Sequence, residues 1–388
     1  MTASRHDIAI AGGGLAGGLI ALALARARPE LDVVLVEQGE VLGGNHRWSW
    51  FASDLDLAGA QLVTGLRTTH WDSGNEAQFP AYRRRLGSGY RSLASTDFDA
   101  GLRRALPPQA IRCRAAISAL DEAGIDLASG ERIAARAVID ARGYTPSPHL
   151  TGGWQVFMGR HLRTATPHGI AAPMIMDAAV EQPGAYRFVY VLPLGANELF
   201  VEDTYYQDTP DLDRRLLAAR IEAYCQAHGW AGEILGNETG VLPVLTGGDF
   251  GAYWASRAAP GVALAGARGL FVHPLTSYTL PQAVSTALAV AAEADLPGEQ
   301  LAAVLAARAR RHWNATRFYR KLGAMLMGAG APDQRYKVFE RFYALPEPLI
   351  ERFYAARSTR LDRLRILCGR PPVPVGGAVK VLLGRKAA

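Results

Sequence analysis

Two adjacent carboxylic acids lie inside a segment that is otherwise apolar and aromatic. Glu202 and Asp203 follow Leu199-Phe200-Val201 and precede Thr204-Tyr205-Tyr206, a pattern that predicts a β-strand. Neighbouring residues of a strand face opposite sides, so we expect one carboxylate to face a ligand and the other a partner or solvent. A carboxyl group in apolar surroundings has a raised pKa and remains protonated near neutral pH as a general acid. An exposed Glu beside a strand-end Asp fits the composition equally well.

Two further residues are candidates for chemistry. Asp177 ends the apolar run Met174-Ile175-Met176 and is a second candidate for a buried acid. His273, which Pro274 follows, has three interpretations: a flavin contact, a base, or a core histidine whose hydrogen bonds are satisfied within the protein. The residue alone favours the last of these. The sequence has no nucleophile elbow, no P-loop and no spacing typical of metal ligands.

A glycine-rich turn near the start of the chain predicts a dinucleotide site. Gly12, Gly14 and Gly17 have the G-x-G-x-x-G spacing between an apolar strand and a helix, where the N-terminus of the helix would receive a pyrophosphate. A second apolar run ends at Glu37, 20 residues beyond Gly17, where a carboxylate binds ribose hydroxyls. The acidic residue favours FAD or NAD over NADP. The alternative is a βαβ unit whose glycines serve packing only.

Three later segments return to the same nucleotide-binding unit. The pair Gly43 and Gly44 soon after the second strand is typical of flavin enzymes, although a plain loop is the alternative. An apolar strand ends at Asp140 and is followed by Gly143, and another apolar strand leads to Gly266. Together with the glycine turn, these residues predict an FAD site.

The order of these segments predicts an α/β fold in three parts. A discontinuous Rossmann-type FAD-binding domain comprises residues 1–151 and 255–300. Residues 152–254 alternate with period two and predict a second, antiparallel-sheet lobe that binds the substrate. Residues 301–388 predict a helical, basic C-terminal region.

The positive charge of the chain is concentrated at its C-terminal end. From Ala303 onward there are 18 Lys and Arg against 5 Asp and Glu, interleaved with aromatic residues. Such helices suit an anionic membrane surface, with aromatic and leucine side chains entering the interface. Nucleic acid would also attract the basic charge, but a dinucleotide-binding enzyme argues against it. The remaining alternative is a solvated helical cap whose aromatic residues belong to the core.

The cysteines and the apolar stretches indicate a compartment. The three cysteines are far apart and form no disulfide framework, which fits a reducing environment. The chain opens with no signal-peptide pattern, and its uncharged stretches are broken by glycine, proline and polar residues. We therefore expect a cytoplasmic protein that associates peripherally with the inner face of the membrane.

Several longer motifs together are more specific than the glycine turn. The chain resembles bacterial lycopene β-cyclases of carotenoid biosynthesis from the first strand almost to the C-terminus. The stretches that carry this resemblance are residues 43–50, 79–90, 138–144, 173–178, 186–194, 201–204, 273–278 and 365–374.

The resemblance implies a redox-neutral cyclisation. Each end of lycopene, or of a related acyclic carotenoid, would close to a β-ionone ring, giving γ-carotene and then β-carotene. Reduced FAD would be required but unchanged, with NAD(P)H as its reductant, and His273 and Pro274 would belong to the cofactor site. Glu202 would be the proton donor, with Asp203 and Asp177 in supporting roles.

Two other functions fit the same residues. A flavin-dependent oxidoreductase, either a monooxygenase or a desaturase, would act on an apolar isoprenoid. A non-catalytic flavoprotein would carry or sense isoprenoid lipids at membranes. The mass of the product separates these functions, because only an isomerase returns an altered molecule of unchanged mass.

Overall fold

Two seven-stranded β-sheets and one three-stranded sheet organise residues 5–329 and 331–368, the part of the chain that this computed structural model describes. The strands are β1 (His6–Ala11), β2 (Val33–Val36), β3 (Arg47–Phe51), β4 (Thr69–Trp71), β5 (Asn75–Phe79), β6 (Tyr82–Leu86), β7 (Tyr90–Ala94), β8 (Ile111–Arg112), β9 (Ile117–Asp121), β10 (Gly124–Leu127), β11 (Arg132–Asp140), β12 (Leu150–Thr164), β13 (Met174–Asp177), β14 (Tyr186–Gly195), β15 (Glu198–Gln207), β16 (Gly232–Gly248) and β17 (Val262–Leu264). The helices are α1 (Leu15–Ala27), α2 (Leu57–Val63), α3 (Ser95–Ala105), α4 (Arg214–Ala227), α5 (Phe250–Arg257), α6 (Leu280–Ala292), α7 (Gly298–Ala315), α8 (Arg317–Ala329), α9 (Tyr336–Tyr343), α10 (Glu347–Tyr354) and α11 (Arg360–Leu367).

The first sheet has a parallel centre of five strands in the order β8-β2-β1-β11-β17. The hairpin β9–β10 extends β11 in antiparallel fashion. The strands of the parallel centre carry apolar runs because both faces of this sheet are covered, as is typical of parallel sheets. Ile8 and Ile10 face the core formed with α1 and α6, whereas Ala9 and Ala11 face the core on the other side.

Glycine brings α1 close to β1. A Cβ atom at Gly17 would lie 2.0 Å from the carbonyl oxygen of Gly12, so no larger residue fits there without moving backbone. Gly12 itself has φ +100°, a conformation that favours glycine. Two of the three glycines of the sequence motif are therefore required by the turn and the packing, whatever the site binds.

The second sheet has the order β16-β12-β15-β14-β13-β5-β6 and is antiparallel except between β13 and β5. The pairing of β5 with β13 means that the sheet includes residues 75–86, outside the range 152–254 predicted for the second lobe. Sequence alternation could not reveal this pairing because the two strands are far apart in the chain. The exact division into domains stays a prediction.

The two faces of the second sheet are covered differently. Helix α4 packs on one face with a core that contains Leu217 and Ile221. The other face carries an aromatic cluster shared with the C-terminal helices, and the buried aromatic residues that these helices contribute are Tyr319, Phe339, Tyr343, Phe353 and Tyr354. The expectation that these aromatic side chains enter a membrane was wrong, because they belong to the core.

Within residues 5–329 and 331–368, no helix combines the length and the apolar character needed to span a membrane. Residues 369–374 of the C-terminal motif, and the rest of the predicted basic region up to residue 388, lie outside the described residues.

Candidate active site

A cleft of about 650 Å³ opens at the carboxyl ends of β1, β2 and β11. Ligands of open parallel α/β sheets bind at this edge, and the volume lies within the range of cofactor sites. The predicted cofactor residues that line the cleft are Gly12, Gly14, Glu37, Gly43, Gly44, Gly143 and Gly266. The sequence therefore identified residues from five separate segments that the fold brings to one cleft.

The start of α1 is suited to an anionic group. Gly14 is the N-cap residue of this helix, and no side chain caps it. A Cβ atom added at Gly14 or Gly143 would meet nothing within 4 Å, so backbone is open to a ligand at both places. Backbone N–H groups at a helix N-terminus bind phosphates. These features fit the pyrophosphate of a dinucleotide.

Glu37 holds the turn and also faces the cleft. Its Oε2 atom accepts a hydrogen bond of 2.7 Å from the N–H of Gly13, and its Oε1 atom accepts one of 2.8 Å from the N–H of Gly39. Each carboxylate oxygen has a second lone pair, which remains for a ribose hydroxyl. The carboxylate is thus oriented by backbone before any ligand binds.

Asp140, another predicted cofactor residue, lies behind the lining of the cleft. Asp140 is buried, and its carboxylate forms ion pairs of 2.8 Å with Arg142 and 2.6 Å with Arg268. Both arginines belong to loops that carry Gly143 and Gly266. Asp140 therefore holds these two loops together, and it is their glycines that line the cleft.

His273 is a core histidine and does not line the cleft. Its Nε2 atom lies 3.1 Å from the carbonyl oxygen of Phe353, and its Nδ1 atom accepts a hydrogen bond of 3.1 Å from the N–H of Thr276. Burial lowers the pKa of the imidazole to about 3, so it is neutral. The carbonyl of the next residue, Pro274, accepts a bond of 2.8 Å from the N–H of Leu245. Neither His273 nor Pro274, both predicted to bind the cofactor, lines the cleft; they attach a loop to α10 and β16.

A second cavity, of about 120 Å³, adjoins the cleft. The residues that line both spaces are His46, Trp48, Leu242, Ser277 and Thr279. Ser277 adopts φ +59°, and its hydroxyl donates a hydrogen bond of 2.9 Å to the carbonyl of Pro243, which holds this strained backbone in place. The second cavity is therefore separated from the cleft by a single layer of residues.

Glu202 is the acidic residue that lines the second cavity. It lies on β15 opposite Tyr190 of β14, which lines the same cavity. The hydroxyl of Thr204 donates a hydrogen bond of 2.8 Å to its Oε1 atom. Burial raises the pKa of Glu202 to about 7, against the opposing effects of Thr204 and the positive charge of Arg47. A substantial protonated fraction is therefore present near neutral pH.

Asp203 lies on the opposite face of the sheet, as the alternation of side chains predicts. Its Oδ1 atom accepts a hydrogen bond of 2.7 Å from Nε of Arg187, and its Oδ2 atom accepts one of 2.9 Å from the hydroxyl of Tyr205. Both partners of this ion pair are buried. Burial raises the pKa of Asp203, and Arg187 opposes the shift.

Asp177 is likewise turned away from the second cavity. Its Oδ2 atom accepts a hydrogen bond of 2.8 Å from the hydroxyl of Tyr224 on α4, and its Oδ1 atom accepts one of 3.0 Å from the N–H of Ala179. Neither Asp177 nor Asp203 lines the second cavity or the cleft. Of the three predicted acids, only Glu202 is in a position to meet a ligand.

Aromatic side chains form much of the wall around Glu202. They are Trp48, Tyr90, Phe157, Tyr190, Phe200 and Tyr278. The hydroxyl of Tyr278 lies 2.7 Å from that of Tyr90 and 3.4 Å from that of Tyr190. Burial raises the pKa of each of these three tyrosines, so they are neutral. The faces of such rings attract positive charge.

Sequence reasoning missed two charged residues near Glu202. Arg47 lines the second cavity, and Glu238 is buried on β16. Arg47 lies in the stretch 43–50 that carries the family resemblance, beside Trp48, so its position could have been recognised from the sequence. Glu238 stands between Asn237 and Thr239 in a stretch without any pattern, and only the register of the sheet brings it near the site.

The parallel sheet, glycine turn and cleft define a Rossmann-type FAD-binding fold, and solved structures share it. A geranylgeranyl bacteriochlorophyll reductase-like protein from Thermoplasma acidophilum has a TM-score of 0.58 at 14% identity, covering 98% of this chain and 99% of its own. A 2-methyl-3-hydroxypyridine-5-carboxylic acid oxygenase has a TM-score of 0.54 at 16% identity, covering 94% of this chain and 98% of its own. The predicted fold class is confirmed.

The chain belongs to the lycopene cyclase family. The family model described as lycopene cyclase protein matches residues 7–380. A lycopene beta-cyclase from Pseudescherichia vulneris is 42% identical over 97% of both chains. Another from Pantoea ananas is 39% identical over 98% of both chains. The resemblance inferred from the motifs is thereby confirmed.

Substitutions of the neighbours Glu202 and Asp203 should change the free energy of unfolding by very different amounts. Asp203→Asn leaves the buried cation of Arg187 without its partner, so we expect the free energy of unfolding to fall by about 3 kcal/mol. Glu202→Gln removes a carboxyl group that burial already disfavours in its charged form, so at pH 8 we expect a change of about 0.5 kcal/mol or less, or a gain. Urea unfolding of both variants measures the difference. Equal losses would mean that Glu202 is a structural residue.

Proposed function

We propose that this chain is a lycopene β-cyclase that closes β-ionone rings by acid catalysis without net oxidation or reduction. One observation carries the proposal: the acidic residue that lines the aromatic second cavity, Glu202, has a pKa raised to about 7 beside a dinucleotide cleft. Membership of the lycopene cyclase family and the names of the relatives support the substrate. The remaining steps follow from the residues of the second cavity.

The reaction begins with transfer of the Glu202 proton to the terminal double bond of the polyene. The resulting cation is attacked by the neighbouring alkene, which forms the ring, and loss of a proton from the ring restores a neutral molecule. One proton enters and one leaves, so substrate and product have the same mass. Glu202 is the acidic residue that lines the second cavity. We therefore propose that its carboxylate accepts the proton that the ring loses.

The aromatic wall stabilises the positive charge that forms between these two proton transfers. A cation near the face of a tyrosine, tryptophan or phenylalanine ring is attracted by about 0.5–2 kcal/mol. Because the tyrosine hydroxyls bond one another, their oxygen atoms are less available to attack the cation. The wall therefore favours ring closure over addition of a nucleophile.

FAD is the cofactor that the cleft fits best. The N-terminus of α1 would hold its pyrophosphate, Glu37 its ribose, and Gly43 and Gly44 would allow backbone to approach it. When bound in its reduced form, FAD supplies negative charge close to the second cavity. We include NAD(P)H as the reductant that keeps FAD in this form.

The size of the second cavity indicates how the substrate enters. At about 120 Å³ it is smaller than the roughly 300–1,000 Å³ of a site for an average small-molecule ligand. It suits one end group of a carotenoid and not the whole polyene. We propose that each end enters in turn, and that related acyclic carotenoids with the same end group are also substrates.

Product mass tests the proposed reaction. With lycopene, chemically reduced FAD and no oxygen, we expect the purified protein to form γ-carotene and β-carotene of unchanged mass, without stoichiometric oxidation of NAD(P)H. Chromatography with mass spectrometry measures the products. A product that has gained oxygen would indicate a monooxygenase, and one that has lost hydrogen a desaturase. Unchanged lycopene despite bound reduced FAD would leave the carrier function.

Glu202→Gln should abolish cyclisation while FAD remains bound. A lost general acid costs about 10²–10⁴-fold in rate, and an amide of the same size cannot donate this proton. For the wild type we expect activity to fall as the pH rises through about 7, because the acid must be protonated. The matched control is Glu198→Gln at the start of the same strand, which pairs with Arg163 away from the second cavity. If Glu202→Gln kept the wild-type rate, Glu202 would not be the acid.

We also propose that α11 attaches the protein to the inner face of the cytoplasmic membrane. Leu361, Leu364 and Leu367 recur every third residue and are 77%, 58% and 55% exposed. Arg360 precedes the first leucine, Arg365 lies between the second and the third, and both arginines are also exposed. An apolar stripe between cations matches an anionic bilayer, from which a carotenoid would be drawn. This face replaces the aromatic one expected from the sequence.

Replacing two leucines tests this surface. The double variant Leu361→Ser and Leu364→Ser should bind vesicles containing anionic phospholipid at least about a hundredfold more weakly, since burial of each of these two side chains contributes about 1.5–3 kcal/mol. Cosedimentation measures the binding, and Leu216→Ser on α4 is the control at an exposed leucine elsewhere. Binding that the double variant leaves unchanged would exclude α11 as the attachment site.

A further inference from the structure

Two carboxyl groups flank one glycine on the face of the sheet that bears the second cavity. In the register of the second sheet, Gly159 of β12 pairs with Glu202 of β15 on one side and with Glu238 of β16 on the other. Residues directly opposite in an antiparallel sheet project to the same face. The backbones of the two glutamates are therefore about 10 Å apart, two strand spacings, on one face.

Arg47 lines the second cavity together with Phe200 and Glu202. A Cβ atom at Gly159 would come within 2.2 Å of the Phe200 ring, which means that the ring occupies the space left by the missing side chain. The guanidinium carbon of Arg47 is 5.1 Å from the centroid of that ring. A glycine, a ring and a cation are thus stacked between Glu202 and Glu238.

Glu238 has few structural partners of its own. It is 8% exposed, and its Oε1 atom is buried without a hydrogen-bond partner among the described residues. The loop above it is attached to β16, because the side chain of Asn45 donates a hydrogen bond of 2.8 Å to the carbonyl of Asn237. A buried carboxyl group without partners is costly, so its place beside Arg47 calls for a role.

Resting on the proposed function, we propose that Arg47 and Glu238 are positioning residues that set the acid strength of Glu202. Arg47 stabilises the carboxylate that Glu202 becomes when it gives up its proton. Glu238 interacts with the same cation. When Glu238 is ionised, its negative charge offsets part of the positive charge of Arg47 and weakens the stabilisation of the Glu202 carboxylate. The three side chains act as one unit that holds a proton next to the substrate.

Charged groups of several packed elements surround these three side chains. Arg47 of β3 interacts with Glu202, with Glu238 and with Asp97 of α3. Glu202 also interacts with Asp203 across the sheet, which raises its pKa. Burial raises the pKa of Glu238 to about 8, with a contribution from Glu202 in the same direction. Two carboxyl groups that repel each other beside one cation titrate as a coupled pair.

The proposal predicts opposite shifts in the pH dependence of two variants. Removing the cation with Arg47→Gln should move the alkaline fall of activity to higher pH by about one unit and lower the maximum rate, because Glu202 becomes a weaker acid. Glu238→Gln should move the fall to lower pH by a few tenths of a unit, because the two groups titrate as a coupled pair and the ionised fraction of Glu238 no longer opposes ionisation of Glu202. Cyclisation rates from pH 5.5 to about 9.5 with saturating reduced FAD measure both shifts.

Matched variants separate this role from a structural one. Arg47→Lys keeps the charge and should restore most of the wild-type profile, and Glu233→Gln changes an exposed carboxyl group on the same strand and should leave the profile unchanged. Infrared titration of the protonated-carboxyl band, without lycopene, follows the same groups directly and should lose one titrating group in Glu238→Gln.

The outcomes distinguish two failures. If the wild type does not cyclise lycopene, the proposed function fails. If the wild type cyclises it but Glu238→Gln leaves the alkaline fall in place or moves it upward, the role of Glu238 is overturned. If Arg47→Gln lowers the rate equally at every pH, the role of Arg47 is overturned.

Discussion

Removal of one carboxyl group from water is the constraint on which the rest of the site depends. A buried carboxylate is unfavourable, so Glu202 keeps its proton to a higher pH than an exposed glutamate does. The aromatic wall creates that environment, Thr204 fixes the carboxyl group, and Arg47 prevents the proton from being held too tightly. The same dry surroundings strengthen every charge interaction in the second cavity, including those that would stabilise a cation.

Much of this arrangement was predictable from the sequence because it depends on local rules. The glycine turn and Glu37 lie in one βαβ unit, so their spacing alone indicated a cleft. The alternation of side chains along β15 was enough to separate Glu202 from Asp203. Asp140 and His273 were predicted to bind the cofactor but do not line the cleft, because the sequence cannot distinguish a residue that lines a cleft from one that supports its loops.

What the sequence could not predict depends on pairing between distant segments. Glu238 lies beside Glu202 only because β12 pairs with both β15 and β16 in one register. The burial of the C-terminal aromatic residues depends on their packing against the second sheet, for which a basic, aromatic composition gives no sign. Composition suggested a membrane surface formed by aromatic residues, and the surface proposed from the structure is formed instead by the exposed leucines of α11.

The insertion of β5 and β6 into the second sheet has a mechanical consequence. The polypeptide passes into or out of this sheet four times between β4 and α5. A hinge motion between the two large sheets would have to bend all four crossings together, which disfavours such a motion. The C-terminal helices follow both sheets in the chain and pack their buried aromatic side chains against the second sheet. The wall around Glu202 therefore depends on chain segments that enter it from both directions along the sequence.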